Sequence, residues 1–316
     1  MYVLAADIGG SHIRMGLLQE GHVLETESFA VDAACAGLAR HLPQIEETAR
    51  SLCTRRRVSL AESQGIGLAL ACLVDAPGKR VLRAVKDKYE DAVSLDLPQW
   101  GQQRLGLEVV LETDSRAALL GEWRYGAGRG CQNIIMVTLG TAIGVSVLMQ
   151  GRLLRGAHAQ AGLGGHFIVN PRGRACNCGG RGCATAEAST WALPGIAREH
   201  PLYAESTLSK IPCIDYRAVF QAAAAGDIVA QEIRDRSLDI WGACIVSLIH
   251  AFDPEVVILG GGILGSAETI LPWIKAWVTS FAWTPWGPVD VRLAAHLQQA
   301  ALLGMSSLFD HGLNCL

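Results

Sequence analysis

The 316-residue chain lacks an excess of charge of either sign: 27 Lys and Arg stand against 30 Asp and Glu, for a formal net charge of −3. With no basic surplus there is no electrostatic footprint for nucleic acid or an anionic membrane. The one basic cluster, Arg55-Arg56-Arg57, reads as the solvated end of a helix. Long hydrophobic runs are missing as well. The stretch Ile134 to Met149 is shorter than the ~18 residues of a spanning helix, and Gly140, Thr141 and Gly144 interrupt it. An export signal is not expected, because the apolar start meets Asp7 before a signal core could form. Low-complexity linkers are also absent, so any domains are expected to pack directly together.

Hydrophobic residues, by contrast, make up 50% of the chain, enough for a large core and for two domains. Cysteine is plentiful, with ten in total, seven of them scattered singly at 35, 53, 72, 131, 213, 244 and 315. Scattered thiols without an export signal favour a reducing, cytoplasmic location over a disulfide framework.

The other three thiols are not scattered. Cys176, Cys178 and Cys183 follow His166 within GGHFIVNPRGRACNCGGRGCATAE. Three thiolates and an imidazole are the ligand set that tetrahedral Zn²⁺ prefers. Gly179, Gly180 and Gly182 let the backbone turn tightly enough for the sulfurs to converge. Four protein ligands leave no open coordination position, so the metal implied is structural.

Two stretches share a plan. YVLAADIGGSHIRMGLL and IIMVTLGTAIGVSVLM each read as apolar strand, glycine-rich turn and apolar strand. Their similarity suggests a duplicated α/β domain with a cleft between the halves. Between them, strands are expected over 22–31, 65–74 and 107–113, and helices over 34–56, interrupted at Pro43, and 115–126. Further on, a helix over 184–200 is split at Pro194, and a long helix over 227–250 is apolar on one face. Strand 256–259 leads into Gly260-Gly261-Gly262, and a last helix spans about 298–310.

The turn after the first strand places Asp7, Gly9, Gly10 and Ser11 where backbone N–H groups can approach an anion. Ser11 adds a hydroxyl, and Asp7 is suited to hold Mg²⁺ through its water shell. Gly140 and Thr141 offer a second turn of this kind. Facing one cleft, the two turns suggest a triphosphate held from both sides. Gly260, Gly261 and Gly262 provide a flat surface for an adenine or ribose.

The order of DIGGSH, an acidic residue after an apolar strand, LGTAIG, Gly-His followed by CxCGxxGC, and FDPEVVILGGG resembles the ROK family of sugar kinases over nearly the whole chain. The resemblance implies an α/β fold of two actin/hexokinase-like (ribonuclease H-like) domains with an interdomain cleft and a zinc-stapled loop. The expected domains are 1–117, with a C-terminal helix at about 298–316 returning to it, and 118–297. The implied activity is ATP- and Mg²⁺-dependent phosphorylation of a hexose or hexose derivative, at carbon 6, in a cytoplasmic homodimer with a structural Zn²⁺. By position Asp114 is the base that takes the sugar hydroxyl proton, and its start-of-helix location also suits N-capping. His166 is implied to serve both zinc and sugar, with Thr113, Thr185 and, after a register slip, Glu187 lining the sugar site.

The departures from the pattern concern the sugar pocket. Thr113 stands where Asn is usual, Ser115-Arg116 where a small residue and Asn are common, and Ala142 where the second turn has glycine. The usual Glu positions are Leu163 and Thr185, while Lys86, Lys88 and Arg116 have appeared nearby in sequence. Lost carboxylates and gained cations favour an anionic sugar; the alternatives are an ordinary hexose kinase and a non-catalytic sugar-binding regulator. DNA-binding relatives carry an N-terminal helix-turn-helix, whereas the first strand here begins at residue 2, so DNA binding is not expected. The blocks SHIR and Lys-Arg after the sugar loop point faintly to allose kinase.

Overall fold

Two apolar hairpins anchor two sheets of one plan, in a computed structural model that describes residues 1–31, 37–84 and 88–310. Strands β1 (Tyr2–Ile8), β2 (His12–Gln19) and β3 (His22–Ala30) form an antiparallel meander. Helix α1 (Leu42–Arg55), β4 (Ser63–Leu70), a small hairpin of β5 (Cys72–Val74) and β6 (Val81–Ala84), α2 (Leu97–Arg104), β7 (Glu108–Thr113) and α3 (Asp114–Tyr125) follow. The sheet order is β3-β2-β1-β4-β7, with β1, β4 and β7 parallel.

The second set contains β8 (Ile134–Leu139), β9 (Ile143–Met149), β10 (Arg152–Leu153), α4 (Ala184–Ala188), α5 (Leu193–Arg198), α6 (Tyr216–Ala224) and α7 (Ile228–Phe252). It continues with β11 (Val256–Gly260), α8 (Ala267–Phe281) and β12 (Asp290–Leu293), before α9 (Ala300–Ser307). Strands β9-β8-β11-β12 repeat β2-β1-β4-β7: one antiparallel pairing, then two parallel ones. The repetition expected from the two hairpins is therefore present at the level of topology. One compact unit comprises Met1–Gly130, Gly151–Ala161 and Gln298–Leu316, and the other Cys131–Gln150 and Gly162–Leu297.

Strand β1 shows why its sequence is apolar at nearly every position. Leu4, Ala6 and Ile8 face one way, onto Ile45 and Leu52 of α1, whereas Ala5 faces Ala117, Leu302 and Met305 on the other side. A parallel strand covered by helices on both faces cannot alternate polar and apolar residues. The second of these layers depends on glycine. A Cβ on Gly121 of α3 would strike the Ala300 carbonyl, and one on Gly304 of α9 would strike the Ala117 carbonyl. The two helices thus touch backbone to backbone, which seats the first turn of α3 against the sheet.

Proline behaves differently from the sequence expectation at two helices. Pro43 starts α1 instead of interrupting it, and residues 37–41 are non-helical; 32–36 lie outside the described residues. Pro194 likewise sits in the first turn of α5, after a non-helical break following Ala188. Proline lacks only an N–H that the first turn leaves unpaired anyway, so it marks a start. The expected strand 65–74 is also two strands, β4 and β5.

Register places the chemistry. Ile8 pairs with Leu70, and Leu70 with Thr113, so the turn after β1, the chain after β4 and the start of α3 leave the sheet at its carboxyl edge. Parallel α/β sheets bind ligands at that edge. In the second sheet Thr138 pairs with Gly260, which brings the turn after β8 and the triple glycine to the equivalent edge.

Candidate active site and metal centre

Asp114 opens α3, and its Oδ1 accepts a 2.6 Å hydrogen bond from the Ser115 N–H. Burial and the negative charge of Asp7 raise its pKa to about 7, against the opposing pull of the Ser115 bond and the Lys88 ammonium. Asp7, near the end of β1, is also raised by burial, partly countered by Arg14. Two desolvated carboxylates this close resist carrying charge together unless a cation joins them. Their placement, from β1 and from the β7–α3 junction, follows from the parallel pairing through β4.

The turn between β1 and β2 closes with the Gly9 N–H donating to the His12 carbonyl at 3.1 Å. Ser11 is exposed; its carbonyl accepts from the Val31 N–H at 2.8 Å, and its hydroxyl lies 3.2 Å from His12 Nδ1. A Cβ on Gly10 would collide with Lys88 Nζ, so the absence of a side chain there admits an ammonium to the turn. Tyr89 donates its hydroxyl proton to the Gly9 carbonyl at 2.7 Å. The sequence marks Lys88 as a cation near the departures from the family pattern but reveals neither its seat on Gly10 nor the contact that Tyr89 makes with Gly9. Lys86 lies outside the described residues.

Thr113 donates its hydroxyl proton to the Cys72 carbonyl at 3.0 Å, which ties the end of β7 to the start of β5. Glu112 and Arg116 flank the Thr113–Asp114 corner and are both buried. Arg155 Nη2 pairs with Glu112 at 2.7 Å, and Arg116 donates to the Ala159 carbonyl at 2.7 Å. A Glu inside the apolar strand LEVVLET is the one sequence signal of this buried network. Arg116 is therefore occupied within the fold and is not a free cation for substrate.

In the second unit, Gly140 closes its turn with an N–H bond to the Ala142 carbonyl at 3.2 Å. The carbonyls of Gly140 and Thr141 accept from the N–H groups of Thr190 and Trp191, so the loop after α4 straps the turn. Thr185 of α4 is buried, and its hydroxyl oxygen accepts from the Ile143 N–H at 3.1 Å. Glu187 is not brought to the same place. It accepts from the Arg174 N–H at 2.6 Å and pairs with Arg236, beside a cavity of about 900 Å³ that also includes Trp191 and Arg172. Two residues along a helix point to different sides, so a register slip that would let Glu187 replace Thr185 does not occur. Gly261 adopts φ 97°, its backbone packed on Leu139, whereas space is open where Gly262 would carry a Cβ.

His166, Cys176, Cys178 and Cys183 converge, each offering one ligand atom, all within 4.8 Å of one another. Cys178 and Cys183 sulfurs are 3.7 Å apart, and Cys176 Sγ is 3.6 Å from His166 Nδ1. A tetrahedral Zn²⁺ with ~2.3 Å bonds to sulfur and ~2.0 Å bonds to nitrogen needs separations of roughly 3.8 and 3.5 Å. The residues fit the ion. Burial and the neighbouring thiols push Cys183 up to about 12 and burial raises Cys176, whereas the Gly180 N–H holds Cys178 below the ordinary thiol value. Burial also lowers the His166 pKa, which favours the neutral, ligating imidazole. The loop is tied to the chain just after the glycine turn of its own unit: Thr185, two residues after Cys183, accepts from the Ile143 N–H, and a Cβ on Gly165 would strike the Ile143 carbonyl.

No helix among the described residues is long and apolar enough to cross a membrane. In sequence the chain is 31% identical over 315 residues to a glucokinase of Thermotoga maritima, covering 97% of this chain and 96% of that one. In structure it is similar to a ROK family glucokinase from Streptomyces griseus in complex with glucose and AMPPNP, with TM-score 0.81, 29% identity, and 98% and 99% of the two chains covered. A ROK hexokinase from Thermus thermophilus gives TM-score 0.74 and 28% identity, with 96% of each chain covered. The ROK family model matches residues 3–311, and the chain belongs to the ROK family.

Proposed function

We propose that this protein is an ATP-dependent carbohydrate kinase that moves the terminal phosphoryl group of ATP to the carbon 6 hydroxyl of a hexose. The observation that carries this reading is Asp114, a partly buried carboxylate with a pKa of about 7 at the carboxyl edge of its sheet, beside Asp7 and an open glycine turn. Similarity to glucokinases over nearly the full length of both chains supports the same reaction class.

Phosphoryl transfer needs positioning and charge neutralisation more than covalent help. Asp114 accepts the proton of the attacking hydroxyl; the Ser115 N–H orients one carboxylate oxygen and leaves the other for the sugar. A carboxylate with a pKa near neutral is about half ionised in the free enzyme, and a larger fraction becomes available as base when cations neutralise Asp7 and lower that pKa. With the Gly9 and Gly140 N–H groups closing their own turns, the Ser11 and Thr141 hydroxyls and the side-chain-free backbone around Gly10 are the groups offered to phosphate oxygens, while Gly262 leaves room for the flat nucleoside. Asp7 would hold Mg²⁺ through water, and that ion supplies charge neutralisation at the phosphates. His166, with Nδ1 facing the thiols, keeps Nε2 for a sugar hydroxyl, and the zinc it shares fixes the ring.

A neutral hexose is the favoured substrate class. The anionic alternative drew on Lys86, Lys88 and Arg116, yet Arg116 is spent on Ala159 and Glu112, and Lys88 lies on Gly10. Leu163, where a carboxylate is usual, is 53% exposed and offers no polar grip. A panel of neutral hexoses including glucose and allose, N-acetylated sugars, sugar acids and sugar phosphates tests this, read as ADP release. Turnover of neutral hexoses is expected. Turnover confined to sugar acids or phosphates would reverse the substrate assignment, and ATP binding with no turnover would favour a sugar-binding regulator. The expected assembly is a homodimer, checked by sedimentation equilibrium.

A further inference from the structure

Lys88 is half-buried and lays its ammonium on the face of Gly10, in the space a Cβ would fill. The next residue holds it there. Tyr89 is buried, adopts φ 49°, packs edge-on to His41 at 6.2 Å and donates to the Gly9 carbonyl at 2.7 Å. A left-handed tyrosine is strained, so the segment is fastened to this turn by specific contacts. The same ammonium acts electrostatically on Asp114. A point cation is thus suspended between a backbone turn open to phosphate and the carboxylate assigned to proton transfer.

Resting on the kinase reading, we propose that Lys88 contacts the terminal phosphate of ATP and neutralises the charge on the phosphoryl group as it transfers. In the balanced step, the sugar oxygen forms its bond to phosphorus as the bond to the ADP oxygen breaks, and the hydroxyl proton passes to Asp114. Lys88 keeps all its protons. Three rotatable donors on a flexible stem can follow the phosphoryl oxygens from donor to acceptor. Its seat on Gly10, and not at the Thr113–Cys72 corner, favours phosphate over a charged group on the sugar.

The discriminating experiment compares ADP and AMPPNP binding by calorimetry in wild type, Lys88→Met and Lys88→Arg, alongside kcat and KM. With the methionine variant, AMPPNP affinity is expected to fall at least about tenfold while ADP affinity stays within about twofold. Its kcat should drop on the order of 100-fold, the loss typical of one charge-stabilising donor, with an unchanged sugar KM. Arginine should restore most of the AMPPNP affinity. Equal losses for the two nucleotides would mean that Lys88 only shapes the turn, and no loss, or a change confined to sugar KM, would equally overturn the proposal. A wild type that phosphorylates sugar while its variants fail to split the nucleotides refutes the Lys88 contact alone. Variants that split the nucleotides as expected, alongside a wild type that phosphorylates no sugar, refute the kinase reading and leave the contact standing.

Discussion

Replacing Asp114 by Asn should make the protein more stable above neutral pH and nearly inactive. The unfolded carboxyl ionises near 3.8, whereas the folded one keeps its proton to about 7. Between those values the folded state binds more protons than the unfolded state, so stability falls as pH rises through that window. Below about pH 4 the wild type carries no penalty; above about pH 7 it carries all of it. At about 1.4 kcal/mol per pH unit the full penalty is about 4 kcal/mol, an upper bound because water reaches part of the side chain. An asparagine does not titrate, and it also relieves the repulsion on Asp7. The variant should therefore gain about 2.5 kcal/mol more over wild type at about pH 8 than at about pH 5, roughly 4 °C in melting temperature. Loss of the base should lower kcat by about 10³-fold. Melting curves of both proteins across that range check the stability arm. A wild-type-to-variant difference that stays constant with pH would refute the desolvation argument, and a variant retaining a tenth of wild-type kcat would remove Asp114 as the base.

Three further outcomes are expected. Protein purified without added metal should contain about one zinc per chain, since four convergent ligands bind the ion with apparent free energies on the order of 10 kcal/mol; metal analysis giving none in a fully folded chain contradicts this. Cys178→Ser should release the metal and speed amide exchange across residues 166–183, raising sugar KM more than ATP KM because His166 loses its anchor; equal effects on the two would separate the loop from the sugar. Gly304→Ala should destabilise the first unit by about 1–3 kcal/mol, because its Cβ meets the Ala117 carbonyl and the α3–α9 contact must open; an unchanged urea midpoint would show that the helices can part freely.

Much of the site was legible because its signals are local. Glycine turns after apolar strands, and four candidate metal ligands within one short glycine-rich stretch, announce their conformations from neighbours in the chain. Helix starts are ambiguous for an equally local reason: Pro43 and Pro194 read as breaks within longer helical patterns, although proline is best tolerated in a first turn. The fate of individual polar side chains was not local. Whether Glu187 could stand in for Thr185 depended on which side of α4 each residue faces. Whether Arg116 was a free cation depended on Arg155, Ala159 and Ala161, some forty residues away in sequence.

The sequence by itself was enough to recognise the family from its motifs, to place the two hairpins, and to single out His166, Cys176, Cys178 and Cys183 as a candidate metal cluster and Asp114 as the proposed base, because turn chemistry and ligand spacing are written in nearby residues. Only the tertiary structure decided what surrounds that carboxylate. Its raised pKa needs Asp7 brought over by parallel pairing through β4, and Lys88 reaches Gly10 only because Tyr89 is fastened to Gly9. Burial and electrostatics depend on distances through space, and no pattern along the chain encodes those directly.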